Sequence, residues 1–323
     1  MSATTQYTSF SDIYTGILNA LRNDTSVTAS VNQAKRAANS ALHDMHIGFA
    51  ERLPWAERRA ILVTQPSYTT GTLTATKGST TITGSSTAWN TNNSFSVANM
   101  RAGGKIRING GNEVYEISTV TNDTSATMTS KFTQDTVSAA SYVYYEDEYA
   151  LASDFLRPLD LQQFSDPMDI KLIGRTDFRR LFMRNYVTGR PQVATLVDLP
   201  FSGSTTPVRK VCFYKPPDIA YSIPYSYITS NLAVTSAGAA ATQMSGDTDE
   251  PIVPVRYRHV IVLGGLYHLL RDAKDDDRAL QVKGEYEQLL TRLVSDTEIG
   301  ASTPYLVPRT SGYTNRARRP YAR

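Results

Sequence analysis

His43 and His46 stand three residues apart with Asp44 between them. On a helix that spacing turns both imidazoles to one side, where they could begin a metal site. No third ligand accompanies them, so surface or interface histidines are the favoured reading. Asp275-Asp276-Asp277 has the carboxylate density of a calcium loop, but the required glycine and distal glutamate are missing. It reads instead as a solvated turn between two helices, with Asp277 capping the second. Glu146 and Glu148 could divide acid and base roles, although nothing in the sequence places them in a cleft. Cys212, the one cysteine, lies in an apolar run without a surrounding motif, which predicts a buried structural thiol. No nucleophile elbow, phosphate loop, zinc-protease helix or dinucleotide fingerprint occurs. The expectation is a protein that is not an enzyme and has no catalytic residue, metal or cofactor.

The densest chemistry lies at the C-terminal end. Tyr305, Arg309, Tyr313, Arg316, Arg318, Arg319, Tyr321 and Arg323 interleave aromatic rings with guanidinium groups, and residues 301–323 contain no acid. Both side-chain types are enriched where binding energy concentrates in protein interfaces. The same interleaving suits phosphates and base stacking, and the plain alternative is a solvated tail. Protein docking is favoured over both. Without the arm's five arginines, 28 basic residues face 30 acidic ones, so the rest of the chain is close to neutral. A body of that balance has no general basic excess with which to neutralise phosphates.

The elements that would position these groups alternate along 323 residues, a length that predicts two domains. Residues 1–63 read as N-terminal helices. Ser11-Asp12 is a plausible cap, Ile13, Ile17, Leu18 and Leu21 follow helical spacing, and a longer alanine-rich helix runs from about Val27 to Arg52. Pro54 ends it, and a strand follows from Arg59 to Thr64. Residues 64–147 read as an inserted β-domain, a small sandwich or barrel. Thr, Ser, Gly and Asn dominate its first part, and between Thr64 and Met100 the only charge is Lys77.

Residues 148–300 read as the remainder of a helical body. Short helical pieces are expected at Asp154–Pro158 and at Asp177–Arg184, where aromatic and basic residues occur together, followed by strands near 192–199, 208–214 and 219–228. Residues 229–250 read as a mobile loop. A helical hairpin, 256–274 and 277–295, is expected to bury Val260, Leu263, Leu266, Tyr267 and Leu270 against Leu280, Tyr286, Leu289, Leu290 and Leu293. Residues 301–323 read as an extended basic arm. The fold class expected is therefore α+β: a helical bundle body with an inserted small β-sandwich or barrel module and an extended C-terminal arm. No run approaches 18 apolar residues, and the first residues resemble no secretory signal, so neither a membrane span nor export is expected. One cysteine fits synthesis in a reducing cytoplasm.

Several segments, taken in order, resemble the head-to-tail adaptor (connector) proteins of tailed bacteriophages. They are Phe49-Ala-Glu-Arg-Leu-Pro-Trp-Ala-Glu-Arg-Arg-Ala60, Lys77-Gly-Ser-Thr-Thr-Ile-Thr-Gly84 with Trp89, Tyr214-Lys-Pro-Pro-Asp218, Asp249-Glu-Pro-Ile-Val-Pro254 and the final helix pair. The resemblance implies a structural virion protein, assembled in the host cytoplasm and placed in the neck. It implies a homo-oligomeric ring, commonly twelve-fold, that docks on the portal protein, meets tail or nozzle proteins and surrounds passing DNA without reading its sequence. The C-terminal arm is the part expected to reach the portal. Two rivals predict other behaviour. A virion glycan- or receptor-binding protein would use the Thr/Ser-rich β-domain, and a polysaccharide-degrading tail enzyme would need paired acids about 5–10 Å apart in a cleft.

Overall fold

A computed structural model describes residues 7–23, 25–50, 53–161, 170–181, 187–198 and 209–297. The chain forms two compact units, Met1–Arg58 with Ile228–Arg323, and Arg59–Tyr227.

The first unit is built on helices α1 (Phe10–Leu21), α2 (Thr28–Phe49), α4 (His259–Asp272) and α5 (Asp276–Thr297). Helix α1 opens two residues before the expected cap. Ser9 is the N-cap: its hydroxyl accepts the Asp12 N–H at 3.3 Å while the Asp12 carboxylate accepts the Ser9 N–H at 2.9 Å. This reciprocal box satisfies two end donors at once. The Thr8 hydroxyl adds a bond to Asp12 and, with the other donors, holds that carboxyl below its ordinary range. Phe10, Ile13, Ile17 and Leu18 are buried, each contributing about 1.5–3 kcal/mol.

Helix α2 buries Ala34, Ala37, Ala38 and Ala41, and small side chains let helix axes approach closely. The same requirement appears on α4. A Cβ placed on Gly264 would stand 2.7 Å from the Ala41 Cβ, and one on Gly265 would stand 2.5 Å from Ile17 Cδ1. Residues 229–250, expected to be a mobile loop, contribute strands β15 (Ala233–Val234) and β16 (Ala240–Ala241); β15 is central and pairs with both β16 and β17 (Glu250–Pro251) in a small antiparallel sheet. Within the α4–α5 pair Leu290 and Leu293 are buried, whereas Leu280, expected inside, is 66% exposed.

Among its described residues the second unit has strands and one short helix. Its first part contains β2 (Thr72–Ala75), β3 (Thr81–Ser85), β4 (Lys105–Ile108), β5 (Tyr115–Asn122), β6 (Ser125–Met128), β7 (Val137–Ala140) and β8 (Tyr142–Tyr145). They form one seven-stranded sheet in the order β7-β2-β3-β6-β5-β4-β8. The two end strands of this order are consecutive in the chain, with only Ser141 between them. Ala140 pairs with Leu73 on β2, and Tyr142 pairs with Ile108 on β4. One continuous stretch therefore serves both edges, and the sheet must curl around its core. Trp89 fills that core, fully buried, with its indole N–H donated to the Tyr142 hydroxyl at 2.9 Å. Tyr142 in turn donates to the Thr70 carbonyl at 2.6 Å, so both polar tips are paired, as buried Trp and Tyr require.

The rest of the unit contains β1 (Glu57–Val63), β9 (Glu148–Ala150), β10 (Phe155–Leu161), β11 (Lys171–Leu172), α3 (Arg175–Leu181), β12 (Val193–Asp198), β13 (Arg209–Tyr214) and β14 (Ser222–Thr229). A three-stranded sheet, β1-β14-β10, and a four-stranded sheet, β11-β12-β13-β9, share one core of Leu62, Tyr149, Phe155, Val211, Phe213, Ile223, Tyr225 and Tyr227.

The expected helical bundle body is thus incorrect. The described residues hold 17 strands in four sheets and only five helices. The physical reason is plain at Asp154–Pro158, expected to be helical. Pro158 disfavours a helical Arg157 and donates no hydrogen bond, and Phe155 stacks on Tyr227 at 5.5 Å across to β14. A short apolar run with proline is stable here as the end strand of a sheet.

Candidate functional site

The residues expected to bind a partner, Tyr305, Arg309, Tyr313, Arg316, Arg318, Arg319, Tyr321 and Arg323, lie outside the described residues. What the structure does describe is the helix pair from whose end that arm continues. The Asp249–Pro254 entry is wrapped around Arg258, which is 5% exposed. Its Nε donates to the Val253 carbonyl at 2.8 Å, and Nη2 donates to Glu250 at 2.9 Å and to the Pro251 carbonyl at 3.2 Å. Nη1 reaches the carbonyls of Tyr7 and Thr8. One guanidinium thus ties the lead into α1 to the lead into α4, with its donors satisfied as a buried cation requires. Sequence reading passed over Arg258; its signal was an arginine one turn after Pro254 and just ahead of an apolar helix. Beside it Trp55 stacks on Tyr257 at 5.9 Å, and Arg256 lies over the same Tyr257 ring at 4.4 Å.

The histidine pair does not converge. His46 is buried with Nε2 2.7 Å from the Thr229 carbonyl, while His43 is exposed. Asp44, between them, pairs with His268 on α4 at 3.1 Å. Among the described residues no group of three His, Cys, Asp or Glu side chains is placed to hold a metal. The Asp275–Asp277 run is a helix start, but one residue earlier than expected. Ala279 N–H bonds to the Asp275 carbonyl at 2.9 Å, and the Asp275 carboxylate is 3.6 Å from Arg278.

Glu146 and Glu148 belong to a cluster of charges at the turn from β8 into β9. Arg101 forks onto Glu146, with Nε at 2.9 Å from Oε1. The Tyr144 hydroxyl donates to the same oxygen at 2.7 Å. Lys105 on β4 meets Asp147 at 2.5 Å, and Lys210 on β13 stands 3.7 Å from Glu148. Burial alone would lower Lys105, but the Asp147 carboxylate outweighs it and holds the ammonium up at about 12. Burial pushes Asp147 up despite that ammonium, and pushes the nearby Cys212 thiol well above its ordinary range. Each carboxylate faces its own cation: Arg101 from the loop ahead of β4, Lys105 from β4 of the curled sheet and Lys210 from the four-stranded sheet. That arrangement fixes the two sheets to one turn of chain. Cys212 is buried, with a thiol held protonated, which suits packing rather than nucleophilic attack.

A further rigid feature is the loop between β3 and β4. Asp123 accepts the Asn90 and Thr91 N–H groups at 2.8 Å each. The Asn93 side chain accepts the Phe95 N–H at 2.8 Å, leaving Phe95 51% exposed at the tip. No described helix is long and apolar enough to cross a membrane. No family model matches the chain, and no curated protein is significantly similar to it.

Proposed function

We propose that this chain is a non-enzymatic structural protein of the virion neck, a head-to-tail adaptor that assembles as a ring on the portal, meets the tail proteins and continues the DNA channel. The observation that supports the reading is the composition of the arm together with the packing of the helices ahead of it. Five arginines and three tyrosines, with no acid in 301–323, come after α5 in the sequence, and its partner α4 packs on α2 at glycine distance behind a lead held by a buried arginine. A firm base and an unpatterned aromatic and basic extension suit docking in which the arm orders on contact, so that its entropy cost falls at assembly. A heterologous ring contact asks only for complementary faces repeated by rotation.

The test is attachment to the portal protein of the same virion, followed by electron microscopy of the complex. Deletion of residues 301–323 should abolish attachment. Tyr305→Ala with Arg309→Ala should weaken it while the melting curve stays unchanged; wild-type attachment by that double variant would sink the reading. The glycan-binding alternative has one feature in its favour, the hydrogen-bonded loop that displays Phe95. Sugar binding lost in Phe95→Ala, with portal attachment absent in the wild type, would select it.

A further inference from the structure

Net charge hides a local concentration. From Ile170 to Arg190 the sequence has six basic residues and one acid, Asp177, while the other residues of 1–300 have 22 basic against 29 acidic. Of the six, Lys171, Arg175, Arg179, Arg180 and Arg190 are described, and all five are exposed. Lys171, Arg175, Arg179 and Arg180 make no ion pair with any described residue. A near-neutral average is therefore the sum of a basic island and an acidic remainder.

The island has a firm platform. Lys171 and Leu172 pair in parallel with Val193 and Ala194 on β12, and the Ile173 N–H continues that ladder to the Ala194 carbonyl at 2.9 Å. Helix α3 begins two residues later and turns Phe178 inward, 8% exposed. Arg175 and Arg179, four apart, then share a side of the helix, and Arg180 fans away from the buried ring. Lys215 lies beside Gly189 where the chain returns toward β12. Described acids include Asp177 on α3 and Asp218, which accepts the Tyr221 hydroxyl at 2.8 Å; Asp166 and Asp169, just ahead of Ile170 in the sequence, lie outside the described residues.

We propose that β11 and α3 form a binding surface for the phosphate backbone of a nucleic acid, through Lys171, Arg175, Arg179 and Arg180. Three of the four are arginines, whose planar fork matches phosphate oxygens in pairs. The seven residues of α3 span only about 10 Å, the scale of a few phosphates along one strand. A phosphate strand needs only such a strip. The surface reads no bases, because nothing in it supplies a helix long enough to enter a groove. The proposal goes beyond the adaptor reading and does not depend on portal docking.

The test uses the full chain with R309Q, R316Q, R318Q, R319Q and R323Q, so that the arm contributes no signal. The probe is a fluorescein-labelled duplex of arbitrary sequence, about 30 base pairs long, titrated by anisotropy between about 50 and 200 mM salt. Four phosphate contacts predict binding that weakens about 100-fold over that range. Adding R175Q, R179Q and R180Q should remove most of the affinity and flatten the salt dependence to about one contact, with the circular-dichroism melt unchanged. Lysine at the same three positions should restore the slope. Absence of binding by the arm-neutral chain, or an unchanged slope in the triple glutamine variant, would overturn the proposal. So would tighter binding to phosphatidylcholine vesicles containing phosphatidylserine than to the duplex, which would assign the island to membranes.

Discussion

The helical unit and the curled sheet fill their interiors in opposite ways. Between α2 and α4 the filling is small: Ala34, Ala38 and Ala41 on one helix, Gly264 and Gly265 on the other, with helix backbones drawn together. Inside the curled sheet the filling is large: Trp89, Phe132, Tyr142 and Tyr144, all at most 3% exposed, with hydroxyl and indole groups bonded to one another or to backbone. The first interior is limited by added volume and the second by lost volume or a lost partner. The difference follows from geometry, since neighbouring helices can slide closer when side chains shrink, whereas a curled sheet keeps its radius and must be filled.

The contrast can be broken most sharply at Trp89. Trp89→Ala should cost about 3–5 kcal/mol, measured as the urea midpoint of the sheet's unfolding. Trp55 lies in the other unit and remains as its own fluorescence reporter. Next in size is Lys105→Met, which strands the buried Asp147 charge and should cost about 3 kcal/mol.

That variant also carries a pH prediction. The Lys105 pKa is raised by folding to about 12, so its contribution is fully present below the ordinary lysine value and fades as pH rises through about 12. Wild type should lose stability over that alkaline window, and Lys105→Met should lose less. Equal losses in the two proteins would remove Lys105 from the account.

Added volume tests the helical side. Gly264→Ala sets a Cβ against the Ala41 Cβ, which cannot move without its backbone, and should cost about 1–3 kcal/mol. Gly265→Ala clashes closely with the movable far end of Ile17 alone, the Ala38 backbone nitrogen standing at an ordinary 3.4 Å, and should cost less. The smallest effect is expected at Gly284 on α5, where a Cβ meets nothing within 4 Å. Gly284→Ala should stabilise by about 0.5–1 kcal/mol. A destabilised Gly284→Ala would show that the small residues of these helices matter for something other than packing distance.

Legibility followed the range of the interaction. Ile13, Ile17 and Leu18 announce α1 because helix bonds join residues four apart, and the observed core uses those same side chains. Lys77-Gly78 and Thr81-Ile-Thr83 announce a hairpin for the same local reason, and β2 and β3 pair on either side of it. Asp154–Pro158 was misread because its partner strand begins more than sixty residues later, at Ser222. Lys171, Arg175, Arg179 and Arg180 are visible as residue types, but the near-neutral average argues against a phosphate-binding body; the fold sets these four on one exposed strand and helix.

The sequence alone determined the helix periods, the uncharged Thr/Ser-rich stretch, the single buried thiol and the charge-segregated arm, because each is a property of neighbours along the chain. Only the tertiary structure decided that the body is mostly sheet, and that one stretch around Ser141 serves both edges of the curled sheet. It alone showed that Arg258 ties two helix entries together and that Glu146, Asp147 and Glu148 each take a cation. Those outcomes depend on which distant strand supplies a hydrogen-bond partner and which distant cation meets a buried carboxylate, and a linear pattern contains neither.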